Sequence, residues 1–171
     1  MLTIAIDVES IGLHGEGFAV AYVVHNATGV EIDAGCIACN TAAAKGGDDD
    51  RAWVAQHVTL PDCTERCANP RQVRAAFWQR WLRWRETGAQ LVADIAWPVE
   101  ARFLAACVDD AGAAAHWQGP FPLLDVATLL VATGIDPTTP QPRRASELPM
   151  HNPLADARHC ARLWFEHAGA G

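Results

Sequence analysis

Two carboxylates follow the first apolar segment of the chain, and their spacing suggests chemistry. Leu2 to Ile6 form an apolar run suited to a buried strand, and Asp7 and Glu9 follow it two positions apart. Because a strand alternates its faces, these two side chains point the same way. Like charges this close repel, and burying either one costs roughly several kcal/mol unless it is paired or bound to metal. The pattern therefore calls for a compensating cation.

Two further aspartates are predicted to reach the same place. Asp94 ends the apolar run "AQLVAD", and a strand there, parallel to the first, would bring its carboxylate near Asp7. Asp156 lies in the first turn of the last predicted helix, five residues after His151. Oxygen-rich sites suit Mg²⁺ or Mn²⁺. Two such ions about 3.5–4 Å apart are the usual arrangement for in-line phosphodiester hydrolysis.

Composition limits the class of protein. The 171 residues are half apolar and 19% charged, which predicts one globular domain spanning 1–171. The net charge of −7 argues against binding long duplex nucleic acid by bulk electrostatics. We see neither a signal-peptide pattern nor an apolar run long enough for a bilayer, so we expect no membrane association and a cytoplasmic location.

The hydrophobic pattern predicts an α/β fold with the element order βββαβαβα. We expect a mixed five-stranded sheet, with three antiparallel strands and two parallel strands, flanked by helices. Asn69, Asp125 and Asn152 are predicted helix caps, and the polar segment "NTAAAKGGDDDRAW" is predicted to be a loop.

The cysteines in "CIAC" and "CTERC" raise the alternative of a structural zinc site. Cys36 and Cys39, however, fall in a predicted strand, where positions three apart face opposite sides. We therefore expect ordinary reduced thiols. A regulatory protein built on zinc is the competing interpretation, and it predicts tightly bound zinc.

The motifs resemble those of the DEDDh 3′–5′ exonucleases. "DVESIGL" is similar to the D-x-E-x-x-G-L first motif of that family, and "HNPLADAR" is similar to its H-x4-D third motif. "PLLDVATLL" is similar to the segment that precedes the third motif. The order and spacing of these motifs fit the family across nearly the whole chain. The resemblance implies a ribonuclease H-like fold and metal-dependent nuclease activity.

The resemblance also implies roles for individual residues. Asp7, Glu9 and Asp156 would bind two metal ions, and His151 would be the general base, a role that suits histidine because imidazole ordinarily titrates near working pH. The last two residues of the first motif would contact the terminal nucleotide, with Gly12 letting the backbone approach the base and Leu13 packing against it.

The second motif departs from the family pattern, which leaves two candidates for the fourth carboxylate. Glu100 in "PVEARFL" stands where the family usually has aspartate, and Asp94 stands at the preceding strand end. The sequence favours Asp94, because aspartate has the shorter reach and a strand end is rigidly placed, but Glu100 remains open.

The leading interpretation is a 3′–5′ exonuclease acting on single-stranded or overhanging nucleic acid, RNA or DNA. Partners would be single strands or short oligonucleotide 3′ ends. Arg143 and Arg144, which lie in a proline-rich loop, would bind the phosphates of the substrate. A homodimer is left open. The alternative is a weakly active or inactive ribonuclease H-like module that binds nucleic acid or a protein partner.

Overall fold

A computed structural model describes residues 1–168 and contains six strands and five helices. The strands are β1 (Thr3–Ser10), β2 (Gly17–His25), β3 (Glu31–Ala38), β4 (Glu65–Arg66), β5 (Gln90–Ala93) and β6 (Leu123–Asp125). The helices are α1 (Asp48–His57), α2 (Pro70–Arg85), α3 (Val99–Ala111), α4 (Val126–Ala132) and α5 (Pro153–His167). Short 3-10 turns cover Thr41–Ala43, Ala113–Gln118 and Ala145–Glu147.

The sheet has the order β4-β3-β2-β1-β5-β6 and is mixed, as predicted. β1, β2 and β3 form the antiparallel meander, whereas β5 and β6 continue the sheet parallel to β1. The predicted count of five strands is wrong by one. The extra strand, β4, has only two residues and pairs parallel to β3, with Ile37 opposite Glu65. A segment this short carries no detectable alternation.

Helix α1 begins within the segment 40–53, which was predicted to be a loop. Its first turn holds Asp48, Asp49 and Asp50, and its last turn holds His57, which is the charge arrangement that the helix dipole favours. Only Val54 is buried in this helix, so there is no apolar stripe to reveal it. The prediction failed because it relied on hydrophobic periodicity.

The predicted helix caps are confirmed. Each cap side chain accepts a hydrogen bond from a backbone N–H of its own first turn, and two of the helices begin with proline. The pairs are Asn69 with Gln72 at 3.0 Å, Asp125 with Thr128 at 2.8 Å, and Asn152 with Leu154 and Ala155 at 3.2 Å.

Helices cover both faces of the sheet, and β1 contributes to both sides. Ile4, Ile6 and Val8 join the larger core with side chains of α2 and α3. Ala5 faces the other way, into a cluster with α4 and α5. The alternation along β1 therefore directs every second residue, including Asp7 and Glu9, toward the α5 side of the sheet. Among residues 1–168, no helix has both the length and the apolar character needed to cross a membrane.

Candidate functional site

The carboxyl ends of β1 and β5 place Asp7 and Asp94 side by side. The two strands are parallel, and Ile6 lies opposite Ala93 in their register. The next residues along each strand are Asp7 and Asp94, and both are half-buried. The sequence predicted this juxtaposition.

Helix α5 brings a second set of ligands to β1. It packs against β1, β2 and β5, and its first turn carries Asp156. One carboxylate oxygen of Glu9, one of Asp156 and one ring nitrogen of His151 all lie within 4.8 Å of one another. These three side chains are spaced closely enough to hold a metal ion between them.

His151 occupies an unusual backbone conformation. Its φ of 57° lies in the left-handed region, which costs energy for a residue with a side chain and is typical of functional sites. Its carbonyl accepts a hydrogen bond from the Thr59 N–H at 2.9 Å. The indole of Trp53 stands edge-on to the imidazole, with the ring centroids 5.1 Å apart. The imidazole is therefore held between the end of α1 and the start of α5.

Glu100 reaches the site from the first turn of α3. Its side chain is buried, and Oε1 accepts a hydrogen bond from the backbone N–H of Val8 at 3.3 Å. That N–H lies between Asp7 and Glu9 in the chain. Burial, followed by the charges of Asp94 and Asp125, raises the Glu100 pKa to about 7, although two backbone hydrogen bonds oppose the shift.

The carboxylates destabilise one another's charged forms. Burial raises the pKa of Asp7 well above its ordinary value, and the charges of Glu9, Glu100, Asp156 and Asp94 raise it further, in that order. Burial, followed by the charges of Asp156 and Glu100, raises the Glu9 pKa to about 7. At neutral pH the cluster thus favours binding either protons or cations.

Asp94 lies at the margin of this cluster. Burial raises its pKa, while the positive charges of His159 and Arg143 lower it. Its charge acts on Asp7 less strongly than that of Glu100, and it does not feature among the charges that raise the Glu9 pKa. Asp94 therefore faces basic groups that Glu100 does not.

The two predicted phosphate-binding arginines have different positions. Arg143 forms an ion pair with Asp156 and donates to the Glu147 carbonyl at 2.9 Å. Arg144 is exposed and pairs with Glu166 near the far end of α5, at 2.9 Å. The structure brings Arg143 to the carboxylates and does not bring Arg144.

A cavity of about 460 Å³ opens beside the carboxylates. Position 12, in its lining, requires glycine, because its φ is +72° and an added Cβ would lie 2.6 Å from the Asp50 carboxyl carbon. Leu13 is 67% exposed at the rim. The lining is made by Val8, Glu9, Ser10, Gly12, Leu13, Asp50, Trp53, Val99 and His151. Sequence reasoning missed Asp50 and Trp53 because they belong to α1, and the acidic first turn of that helix was the available signal.

The cysteines do not form a zinc site in the described part of the chain. Cys36 belongs to the cluster under α5, whereas Cys39 belongs to the core under α2, so the two face opposite sides as predicted. All six cysteines are free thiols. Among residues 1–168, the group of Glu9, His151 and Asp156 is the one set of three or more potential ligands with metal-binding spacing, and it contains no cysteine.

Comparison with known proteins supports the fold. Neither a protein-family model nor a curated protein sequence matches the chain. Among solved structures, the chain is similar to a moderately thermophilic exonuclease I from Methylocaldum szegediense, with a TM-score of 0.68 and 12% sequence identity. The alignment covers 99% of this chain and 41% of that protein, so the chain spans about two fifths of its neighbour's length. The chain has the predicted ribonuclease H-like α/β fold, with six strands in its sheet.

Proposed function

We propose that the chain is a metal-dependent 3′–5′ exonuclease that hydrolyses phosphodiester bonds at single-stranded or overhanging 3′ ends. The observation that carries the proposal is the cluster of Glu9, His151 and Asp156, with Asp7 and Glu100 beside it, at the mouth of a nucleotide-sized cavity. The fold shared with an exonuclease supports a nuclease assignment.

Asp7, Glu9 and Asp156 are the proposed ligands of two divalent cations. Their hard oxygen donors suit Mg²⁺ or Mn²⁺. Burial and the neighbouring carboxylates raise the pKa values of Asp7 and Glu9, which indicates that the cluster lacks enough positive charge of its own. When bound, such ions supply an acidified water and neutralise charge on the leaving oxygen.

Glu100 is our proposed fourth carboxylate. The sequence favoured Asp94, but the contacts give Glu100 the better position: it is bonded to the backbone between Asp7 and Glu9, and its charge acts on both of them. Asp94, near His159 and Arg143, is then assigned to a supporting position.

His151 is the proposed general base. Its imidazole lies within reach of the Glu9 and Asp156 carboxylates and takes the proton of the attacking water. Arg143, now paired with Asp156, is the guanidinium placed to meet the phosphate under attack. Gly12, Leu13 and Trp53 form the walls against which the terminal nucleoside packs.

A second candidate function is a ribonuclease H-like module that binds nucleic acid or a protein partner without turnover. The ion pair between Arg143 and Asp156 favours it, because a guanidinium already occupies one carboxylate of the cluster. The two functions differ in one respect: the module binds strands without shortening them.

The test uses single strands of RNA and of DNA labelled at the 5′ end. With Mn²⁺ or Mg²⁺, we expect a ladder that shortens from the 3′ end, and with chelator we expect intact strands. The His151→Ala variant should lose about 100-fold or more in rate. The matched Arg83→Gln variant, at an exposed position on α2, should retain full activity. If neither substrate is shortened with either ion, the exonuclease proposal fails.

A further inference from the structure

A second cavity adjoins the cavity of the candidate active site. It has a volume of about 520 Å³, and Val99 lines both cavities. Its rim carries basic side chains from three separate segments of the chain: the β1–β2 connection, the segment before α1 and helix α3. They are His14, Lys45 and Arg102, with Arg74 below them.

The buried cation of this basic groove is balanced by neighbouring carboxylates. Arg74 is buried and neutralised by Glu16 at 2.9 Å and Asp110 at 2.6 Å. Glu16 makes a second contact, because its other carboxylate oxygen accepts a hydrogen bond from the Lys45 backbone N–H at 3.1 Å. Asp109 is the other acidic residue in the lining.

Lys45 and Arg102 keep their charges available to a ligand. Both are exposed, and within residues 1–168 neither forms an ion pair. Arg102 donates one hydrogen bond, to the His14 carbonyl at 3.1 Å, which positions its guanidinium on the rim and leaves other N–H groups free. Two exposed cations thus border a groove in a chain whose net charge is −7.

We propose that this basic groove binds backbone phosphates of the single strand whose 3′ end occupies the first cavity. The inference rests on the proposed exonuclease function and extends it to the upstream part of the substrate. Single-strand binding surfaces combine a basic groove that follows the backbone with aromatic side chains against which bases stack. Lys45 and Arg102 supply the first feature, and Trp53 in the adjoining cavity supplies the second.

The test compares substrates of different length. The double variant Lys45→Gln with Arg102→Gln should lower kcat/KM for a decanucleotide by about tenfold or more, because phosphate binding dominates affinity. For a dinucleotide, which does not extend into the groove, kcat/KM should stay within about twofold. The dependence of log kcat/KM on log salt for the decanucleotide should become shallower by about 0.7 for each phosphate that the groove no longer neutralises.

Two further variants separate the groove from general charge. Arg66→Gln with Arg83→Gln removes the same charge from exposed positions that line neither cavity, and it should leave the length dependence unchanged. Lys45→Arg with Arg102→Lys keeps the charge and should retain the salt dependence. An equal loss on both substrate lengths, or no loss on the decanucleotide, would overturn the proposal.

A binding measurement in chelator distinguishes this proposal from the proposed function. Fluorescence anisotropy of a labelled decanucleotide needs no turnover. If the parent protein hydrolyses no strand but the Gln variant binds the decanucleotide more weakly, the exonuclease proposal fails and the groove stands. If the parent protein hydrolyses strands and the variant binds them equally well, or if the parent protein does not bind the strand at low salt, the groove proposal fails.

Discussion

At the scale of single residues, the carboxylates of the first motif are repelled by the carboxylates around them. Asp7 is half-buried, and four neighbouring carboxylates raise its pKa. In the metal-free protein these charges oppose folding. The same charges would draw divalent cations to the proposed metal site, so the proposed metal binding and the cost to stability come from the same side chains.

The Asp7→Asn variant should therefore lose activity and gain stability. We expect hydrolysis to fall by about 1,000-fold or more, because a metal ligand is lost, while the melting temperature measured in chelator rises or stays unchanged. Asp33→Asn is the matched control: it removes one negative charge at an exposed position on β3 and should change neither property. Normal activity in Asp7→Asn would show that the site is assigned incorrectly.

A second pair of substitutions separates Glu100 from Asp94. Glu100→Gln should cost about 100-fold or more in kcat, because its carboxylate bonds to the Val8 backbone N–H, next to both proposed ligands in the chain. Asp94→Asn should cost about tenfold or less, because its charge acts on Asp7 less strongly than that of Glu100 and is not among the charges that raise the Glu9 pKa. Steady-state kinetics with Mn²⁺ measure both. The opposite ranking would return the fourth position to Asp94, and two severe losses would mean that both carboxylates serve the reaction.

At the scale of elements, the sequence predicted the parts of the site that follow regular patterns. The parallel register of β1 and β5 follows from two apolar runs that end in aspartate, and the capped start of α5 follows from Asn152 and Pro153. The contribution of α1 could not be predicted in this way. This helix buries only Val54 and contributes exposed side chains to the site, which an analysis of hydrophobic periodicity does not detect.

Helix α1 gives a prediction of its own through Trp53. The indole lines the first cavity and contacts the His151 ring edge-on. Trp53→Ala should lower kcat/KM for single strands by about 10–100-fold, as loss of stacking on one base would, while Trp53→Phe should retain most of it. An unchanged kcat/KM in Trp53→Ala would remove α1 from the substrate site.

The loop before α5 is anchored by one buried acid. Glu147 accepts hydrogen bonds from Arg162 at 2.8 Å and His159 at 2.9 Å, both on α5, and from the Arg144 backbone at 3.1 Å. Burial alone would raise its pKa, but these bonds outweigh burial and lower it to about 2. The anchor therefore stabilises the fold above about pH 4.5 and is lost as the pH falls toward 2.

Removing this anchor should loosen the loop that carries Arg143 and His151. Glu147→Gln should lower the free energy of unfolding at neutral pH by about 3 kcal/mol, because it removes the buried charged partner of Arg162 and the carboxylate that His159 contacts. Glu166→Gln removes an exposed partner of the same Arg162 and should cost less than about 1 kcal/mol. Denaturant unfolding measures both, and equal costs would argue against the anchor.

At the scale of the whole molecule, pH and metal should be coupled through the carboxylates. Glu9 and Glu100 have pKa values of about 7 in the folded chain against an ordinary 4.5, so the folded state binds more protons than the unfolded state between these values. The stability they contribute is present below about pH 4.5 and is lost as the pH rises through about 7.

The melting temperature of the metal-free protein should accordingly fall between about pH 5 and about pH 8. Mn²⁺ should raise it more at about pH 8, where the carboxylates are ionised, than at about pH 5. Thermal unfolding with chelator and with Mn²⁺ at each pH measures the difference. A melting temperature that rises with pH, or an equal effect of Mn²⁺ at both values, would contradict the coupling.

Most of the fold, apart from helix α1 and strand β4, was predictable because the patterns that specify it are spread along the chain. Alternating and helical patterns predicted three antiparallel strands, two parallel strands and the helices that flank them, and short motifs predicted carboxylates at the strand ends. The neighbouring exonuclease shares this architecture at 12% identity, so the fold tolerates replacement of most side chains. What the patterns could not supply were the two-residue strand β4 and the distances between side chains that belong to different elements.

The left-handed backbone at His151 has an evolutionary consequence. A glycine there would relax the conformation, and an asparagine at position 7 would relieve the repulsion, so the two simplest ways to stabilise this chain should also inactivate it. Selection for stability alone would erase the site at these positions first. If the proposed hydrolysis is the function, a lineage that no longer needed it should keep Asn152, Pro153 and the β1 core while losing His151 and Asp7.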